Sequence, residues 1–442
     1  MVRFVMTLMA LGCLTGIDAQ TKQWTLRECE DYAVANSITV KQREVAREKQ
    51  EYSLSTARNS RLPNLSASVG ENFSFGRGLT DMNTYENTNT TSTSLQLQTS
   101  VPLFTGFEIP ENIKLNRLNL EALTEDLEKA KNDIRMKVAQ AYVQILYDME
   151  ITAVARRQVG IDSMQVARLQ AFVDNGKASV SELSQQMATL AASRLTATQA
   201  ENKYRISILT LTQLLELPSP DGFAVVPPTD EQLDRIGQLE LANPEQVYNE
   251  ALGFKPEIRS EVLRLQGQEH SINIAKAGYY PKLNFSAGLG SNYYTSSAYD
   301  ADPFGKQLKN NFSQFIGLNL SIPIFSRFQV RNSVRTARAN KLNQQLVLDN
   351  AKKTLYKEIQ QVYYNAENAR SKELSSREAV QSSGDAFTLM QAKYENGKAN
   401  ITEFNEAKNK FLKSESDFVQ ARYEHLYQRA LLEFYRGHEL NF

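Results

Sequence analysis

The chain is written twice. Asn175-Gly176-Lys177-Ala178-Ser179-Val180-Ser181-Glu182 returns as Asn396-Gly397-Lys398-Ala399-Asn400-Ile401-Thr402-Glu403, a spacing of 221 residues, and the same spacing carries Val101-Pro102-Leu103-Phe104 onto Ile322-Pro323-Ile324-Phe325. A repeat of this length overrides the count of about three globular domains that chain length alone would suggest. Between these landmarks each copy holds 68 residues, 107–174 and 328–395, with no proline after Pro110 in the first and none in the second.

Those long stretches read as helix. Leu127, Ala130, Ile134, Val138, Ala141 and Ile145 recur at spacings of three and four, and Leu348, Ala351, Leu355, Ile359, Val362 and Ala366 repeat the seam in the second copy. At 1.5 Å per residue such a helix reaches about 100 Å, a length that coiled-coil packing stabilises. Asn175-Gly176 and Asn396-Gly397 supply residues that tolerate left-handed geometry at a helix end. Each helix therefore turns there and runs back, to about Leu217 and Gly437.

The remaining parts alternate with period two. Leu65, Ala67, Val69, Phe73 and Phe75 interleave with Ser66, Ser68, Gly70, Asn72 and Ser74, and Leu95, Leu97, Val101 and Leu103 with Gln96, Gln98 and Ser100. In the second copy Leu283, Phe285, Ala287 and Leu289 alternate with Asn284, Ser286 and Gly288, and Ile316, Leu318, Leu320, Ile322 and Ile324 with Gly317, Asn319 and Ser321. These are four strands apolar on one face only, which suits a transmembrane barrel with lipid outside and water inside. The competing arrangement is a soluble sheet covered by the helices, but helices of this length would project far past the strands. Polar segments, Thr80 to Thr93 and Ser291 to Asn311, join the strands of each pair. Four strands cannot close a barrel, and open edges are not tolerated in hydrocarbon, so the chain must oligomerise. The smallest barrels have about eight strands, so two copies are the minimum and three give twelve strands.

The expected fold is mainly α with a transmembrane β-barrel portion. Its segments are a signal peptide over 1–19, a first repeat over 20–217, a linker over 218–255 and a second repeat over 256–442. The first repeat holds strands at about 64–76 and 94–104 and a hairpin over 107–217 turning at 175–177. The second holds strands at about 282–292 and 312–325 and a hairpin over 328–437 turning at 396–398. Arg3, the apolar stretch Phe4 to Leu14 and Ile17-Asp18-Ala19 before Gln20 give the export signal. Cys13, after Ala10-Leu11-Gly12, has the last residue of a lipidation motif but not the order before it. Cys29 alone remains after cleavage at Ala19, so no intrachain disulfide holds the exported chain. Fifty basic and fifty acidic residues cancel, leaving no electrostatic footprint for nucleic acid or an anionic membrane surface. No apolar run approaches the roughly 20 residues of a membrane-spanning helix.

With duplication, helices and strands in this order, the chain resembles the TolC family of outer-membrane efflux channels over nearly its whole mature length. Trp24-Thr25-Leu26-Arg27-Glu28-Cys29 followed by Tyr32-Ala33-Val34-Ala35-Asn36-Ser37 is similar to the start of the family's first helix. Ala277-Gly278-Tyr279-Tyr280-Pro281-Lys282-Leu283 is similar to its entry into a strand, with Ala57 to Leu65 as the first-copy partner. The resemblance implies a homotrimer with a twelve-stranded barrel in the bacterial outer membrane and an α-helical barrel extending into the periplasm. A mixed belt around the helices falls on Gln213 to Lys255. The implied partners are a periplasmic adaptor protein and an inner-membrane transporter, with outer-membrane lipid around the barrel.

Carried over residue by residue, the resemblance implies adaptor docking at Gly176-Lys177-Ala178 and Gly397-Lys398-Ala399. It implies a gate in which Tyr394 hydrogen-bonds toward Ser181 and Glu182 of a neighbour, and a pore constriction at Glu403 and Glu406. The family's well-studied members carry aspartates at those last two positions and a basic residue where Ala399 stands. Without the resemblance, a Gly turn ends any helical hairpin, Tyr394 is a packing tyrosine, and Glu403 and Glu406, three apart on one face, are a solvated surface. The first copy offers Glu182 and Gln185 at the equivalent sites. His270, His425 and His438 lack metal spacing, Asn-Gly-Lys-Ala lacks the flanking residues of a phosphate loop, and no nucleophile motif is present, so neither enzyme nor cofactor is expected. The leading functional expectation is a passive exit duct for small molecules driven by an inner-membrane pump. The alternatives are the outer-membrane duct of a type I protein secretion system and a structural coiled coil with no pore.

Overall fold

The computed structural model describes residues 22–80, 82–229, 231–233, 240–298 and 300–440; the expected signal peptide over 1–19 and Cys13 lie outside them. The chain forms two units, and each draws on both copies of the repeat: Arg43–Leu127 with Pro256–Lys352, and the remainder. Among the described residues no helix is long and apolar enough to cross a membrane.

The first of these units is built on a sheet of four antiparallel strands, β2 (Asn64–Leu79), β3 (Tyr85–Phe104), β5 (Lys282–Ser296) and β6 (Ser313–Ser321), in that order. Cross-strand register puts the apolar positions of all four on one face. Val101 lies opposite Phe285 and Phe285 opposite Leu318, while Thr99, Ala287 and Ile316 form the next row. That face is bare in the single chain, with Phe75 75% and Ile316 80% exposed, so the helices do not cover it as they would in a soluble sheet. β2 and β6 are the open edges.

β3 begins at Tyr85, where alternation predicts a start near 94, and the polar segment from Tyr85 to Ser94 is strand rather than spacer. Thr and Asn alternate there without an apolar face, which removes the period-two signal while leaving the β-propensity of Thr. In the second copy β6 stops at Ser321, short of the expected 325. Where β5 outruns β6, side chains from a short helix, α7 (Phe304–Asn310), and the residue after it occupy the strand's free backbone groups. Tyr294 N donates to Gln307 Oε1 at 3.0 Å, Gln307 Nε2 donates to Tyr294 O at 2.9 Å, and Asn311 Nδ2 donates to Asn292 O at 2.7 Å. An edge that would invite another chain is thereby blunted.

Strand gives way to helix through consecutive left-handed residues at matching places in both copies, Gly106-Phe107 (φ 67° and 68°) and Arg327-Phe328 (φ 49° and 63°). Only the first copy requires glycine. A Cβ on Gly106 would come within 2.7 Å of the Ala277 carbonyl oxygen and 2.8 Å of Tyr280 Cβ. Aromatic rings gather at these junctions, Phe104 on Phe107 at 5.3 Å and Phe325 on Phe328 at 5.6 Å, as they do where protein meets a membrane interface.

The other unit contains β1 (Lys22–Trp24) paired in parallel with β4 (Phe223–Val225), helices α1 (Leu26–Asn36) and α5 (Pro244–Phe254), and most of the long hairpins. The hairpins are α3 (Glu108–Asp174) with α4 (Val180–Leu214), and α8 (Gln329–Glu395) with α9 (Ile401–Tyr435). Helices α2 (Ile38–Asn59) and α6 (Pro256–Ala277) complete the order. Buried Val138, Ile145, Leu355 and Ile359 confirm the seams read from spacing. Tyr142 on α3 donates toward the carbonyls of Trp24, at 3.1 Å, and Val226, at 2.6 Å, anchoring a small sheet whose strands are too short for alternation to reveal.

A cavity of about 280 Å³ in this unit is lined by Arg27, Glu30, Arg135, Phe254, Phe434 and His438 among others. Glu30 Oε1 is buried there without a hydrogen-bond partner, and burial pushes its carboxyl up to about 8 against the pull of Arg135. A carboxyl raised in the fold binds its proton more tightly folded than unfolded, so stability falls as pH rises from the unfolded value toward 8. Between pH 5 and 7 this loss is roughly 2–3 kcal/mol, and Glu30→Gln is expected to remove it. Thermal unfolding at the two pH values checks this; an unchanged pH slope in the variant would show that Glu30 is ionised and solvated.

Candidate functional site

Both helix turns close in the same way. At the first, Gly176 (φ 68°) donates to Val173 O at 2.9 Å and Lys177 N to Phe172 O at 2.7 Å; at the second, Gly397 (φ 71°) donates to Tyr394 O at 3.1 Å and Lys398 N to Lys393 O at 2.8 Å. This paired closure satisfies carbonyls the helix would otherwise leave open and requires the left-handed residue that glycine supplies. No atom lies within 4 Å of a Cβ built at either glycine, so the turns present bare backbone, with Lys177 and Lys398 exposed beside it.

The returning helices start with reciprocal caps. Glu182 N donates to Ser179 Oγ at 3.1 Å while Ser179 N donates to Glu182 Oε2 at 3.2 Å. Glu403 N donates to Asn400 Oδ1 and Asn400 N to Glu403 Oε2, both at 2.9 Å. Two of the carboxylates that the family resemblance implies for gate and constriction therefore hold the first turn of their own helices, an arrangement that stabilises a helix start by about 1 kcal/mol. Glu403, Glu406 and Ser181 are exposed.

Tyr394 is half-buried within its own chain. Its ring stacks on Phe404 at 5.0 Å, and the Arg168 guanidinium from the other hairpin lies over it at 5.3 Å and donates to Glu395 O at 3.0 Å. Burial raises the Tyr394 hydroxyl above its ordinary range; Arg168 opposes this and Glu182 adds to it. The structure thus brings Tyr394, Arg168 and the Glu182 carboxylate into one neighbourhood, with Glu403 on the helix that carries Phe404.

Just inside these turns sits a cluster that the sequence reading missed. Asp162 on α3 and Lys408 on α9 are fully buried and form an ion pair. Ser193 donates to the second Asp162 oxygen, Gln186 Nε2 donates to Asp162 Oδ1 at 3.3 Å, Lys408 donates to Asn405 Oδ1 at 3.2 Å, and Asn405 Nδ2 closes on Gln186 Oε1 at 3.1 Å. Both carboxylate oxygens are satisfied, and the circuit joins the two hairpins through α3, α4 and α9. A signal existed: Lys408 stands midway between Phe404 and Leu412 on the buried seam, where a charge demands a partner. Among the described residues no group of three or more His, Cys, Asp or Glu is placed to hold a metal.

A sheet of four strands with a bare apolar face, in a chain otherwise built of long helical hairpins, defines a membrane protein of channel-like architecture. The family model for outer membrane efflux proteins matches residues 31–216 and 247–438. The chain belongs to this family of outer-membrane channels. It is 26% identical over 284 residues to protein CyaE of Bordetella pertussis, covering 64% of this chain and 55% of that one. It is 21% identical over 381 residues to the outer membrane protein TolC of Escherichia coli, covering 84% and 74% respectively. The chain thus spans about half the length of the first relative and three quarters of the second. The fold matches that of the Campylobacter jejuni CmeC outer membrane channel with a TM-score of 0.76 at 17% identity, over 94% of this chain and 87% of that one.

Proposed function

We propose that the chain assembles as a homotrimer whose twelve strands close one barrel in the outer membrane, with the helical hairpins forming a periplasmic duct beneath it. The duct passively conducts small molecules expelled by an inner-membrane transporter and handed on by a periplasmic adaptor. The carrying observation is the four-stranded sheet with a bare apolar face and two open edges, in a chain of the efflux family. Because β2 and β6 run in opposite directions at the two edges, β6 of one chain meets β2 of the next antiparallel, and closure continues the same ladder. The turns at Gly176-Lys177 and Gly397-Lys398 dock the adaptor, Tyr394 with Ser181 and Glu182 forms the gate, and Glu403 and Glu406 form the constriction.

In a trimer those two glutamates place six carboxylates around one opening, and acidic rings bind multivalent cations. The test is single-channel conductance in a planar bilayer with a trivalent cation added on the side of the helix turns. The native protein is expected to be blocked. The Glu403→Gln/Glu406→Gln variant, which keeps a capping side chain at 403, is expected to conduct without block. Equal block of both would make these carboxylates a solvated helix face, and absence of any conductance would remove the duct itself.

A further inference from the structure

The face of the sheet opposite the apolar one is polar but almost free of charge. Among the described residues the four strands carry charge only at Glu71, Arg77, Glu86 and Lys282, although 23% of the whole chain is charged. Glu71 and Arg77 share the outer parity with Val69 and Phe75. There they are tied down, Glu71 accepting from Thr93 Oγ1 at 2.6 Å and Arg77 donating to Tyr85 O at 3.3 Å. Only Glu86 and Lys282 belong to the inner face, and they stand at its two ends. Glu86 pairs with Gly78 beside the β2–β3 turn, whereas Lys282 opens β5 and donates to Glu108 at 2.8 Å.

Between those ends the inner rows consist of hydroxyls, amides and bare backbone, with the Phe315 ring beside Gly288 as an uncharged apolar member. Ser66, Gln98 and Gly288 form one row, and Ser100, Ser286 and Gly317 another. All the strand glycines share this parity, and at Gly288 a Cβ would meet the Phe315 ring at 2.5 Å. A wall of this kind offers donors and acceptors of both senses without a fixed charge, so it neither attracts nor repels an ion by Coulomb force.

We propose that the strand-lined section of the duct is indifferent to the charge of its cargo, and that sorting by charge is confined to the helical section. This rests on the barrel reading above, which sets the polar face inward. Cargo of either sign, or zwitterionic cargo, then passes the membrane-embedded part equally, held by exchangeable hydrogen bonds with Ser, Thr, Asn and Gln side chains rather than by ion pairs.

The test uses the full-length protein in a planar bilayer at about 0.1 M salt, where exposed charges are screened beyond about 10 Å. Ammonium-terminated and carboxylate-terminated poly(ethylene glycol) of one mass are added on the side of the β2–β3 turn, so that they sample the strand-lined section first. The readout is the rate at which each interrupts the current. In the Glu86→Gln variant, which removes the inner-face carboxylate beside the β2–β3 turn, the two rates are expected to agree within about twofold. Adding Gln98→Glu, which sets three carboxylates in mid-wall, is expected to favour the ammonium probe by about tenfold. A preference beyond about fivefold in Glu86→Gln alone overturns the proposal, and so does a Gln98→Glu variant that leaves the ratio unchanged. Failure of the duct reading is distinguishable, since no current would then be available to interrupt.

Discussion

Replacing Lys408 by methionine is expected to destabilise the helical hairpins by about 3–5 kcal/mol, because it strands the Asp162 carboxylate in a fully buried site. Gln186 and Ser193 still donate to Asp162, but two neutral donors do not compensate a buried charge. The double variant Asp162→Leu/Lys408→Met is expected to recover most of the loss, since the attraction within a buried pair roughly offsets the cost of desolvating it. Thermal unfolding in detergent, followed by the helical circular dichroism signal, measures both. A single variant as stable as the native protein would mean that water reaches the pair.

Placing tryptophan at both Gly176 and Gly397 is expected to abolish export while leaving the protein folded and inserted. Neither turn has an atom near the added Cβ, so the cost is confined to the left-handed backbone, about 1 kcal/mol at each site. What the change removes is the bare backbone surface that a docking partner would cover. The measurement is survival of cells on a panel of toxic compounds, with the variant replacing the native gene. Survival is expected to fall to that of cells lacking the gene, with an unchanged amount of trimer in the outer membrane. Survival at the native level, with the same amount of trimer, would mean that the turns do not dock the adaptor.

The duplication, the helical seams and the outward face of the strands were legible because each depends on a periodic apolar pattern. Leu127 to Ile145 and Leu348 to Ala366 announce a helix by spacing alone, and the alternation at Leu65 to Phe75 announces a strand in the same way. What escaped has no such pattern. The upper part of β3 lacks an apolar face, and β1 and β4 are three residues each, too short for alternation to register. The turn glycines were readable because Asn-Gly reports local chemistry, while the Ser179–Glu182 and Asn400–Glu403 caps were found only in the structure. The Asp162–Lys408 circuit was not assembled because its members come from three helices, and sequence spacing says nothing of which seams face one another. Tyr394 illustrates the limit from the other side. Its position was singled out, yet its stacking on Phe404 and the cover supplied by Arg168 emerge only when both hairpins are in place.

Each unit is woven from both copies, and this fixes when folding can finish. β3 pairs with β5, Thr99 opposite Ala287, so a whole helical hairpin is synthesised between two neighbouring strands. Contacts so distant along the chain form late, because loop-closure entropy is met before they contribute anything. Until β5 arrives, the β2–β3 ribbon waits with an unpaired backbone edge and an apolar face in water, the condition in which chains aggregate. Completion of the sheet therefore belongs to the last strands made rather than the first, and the β2–β3 ribbon is the stretch that waits longest for its neighbour.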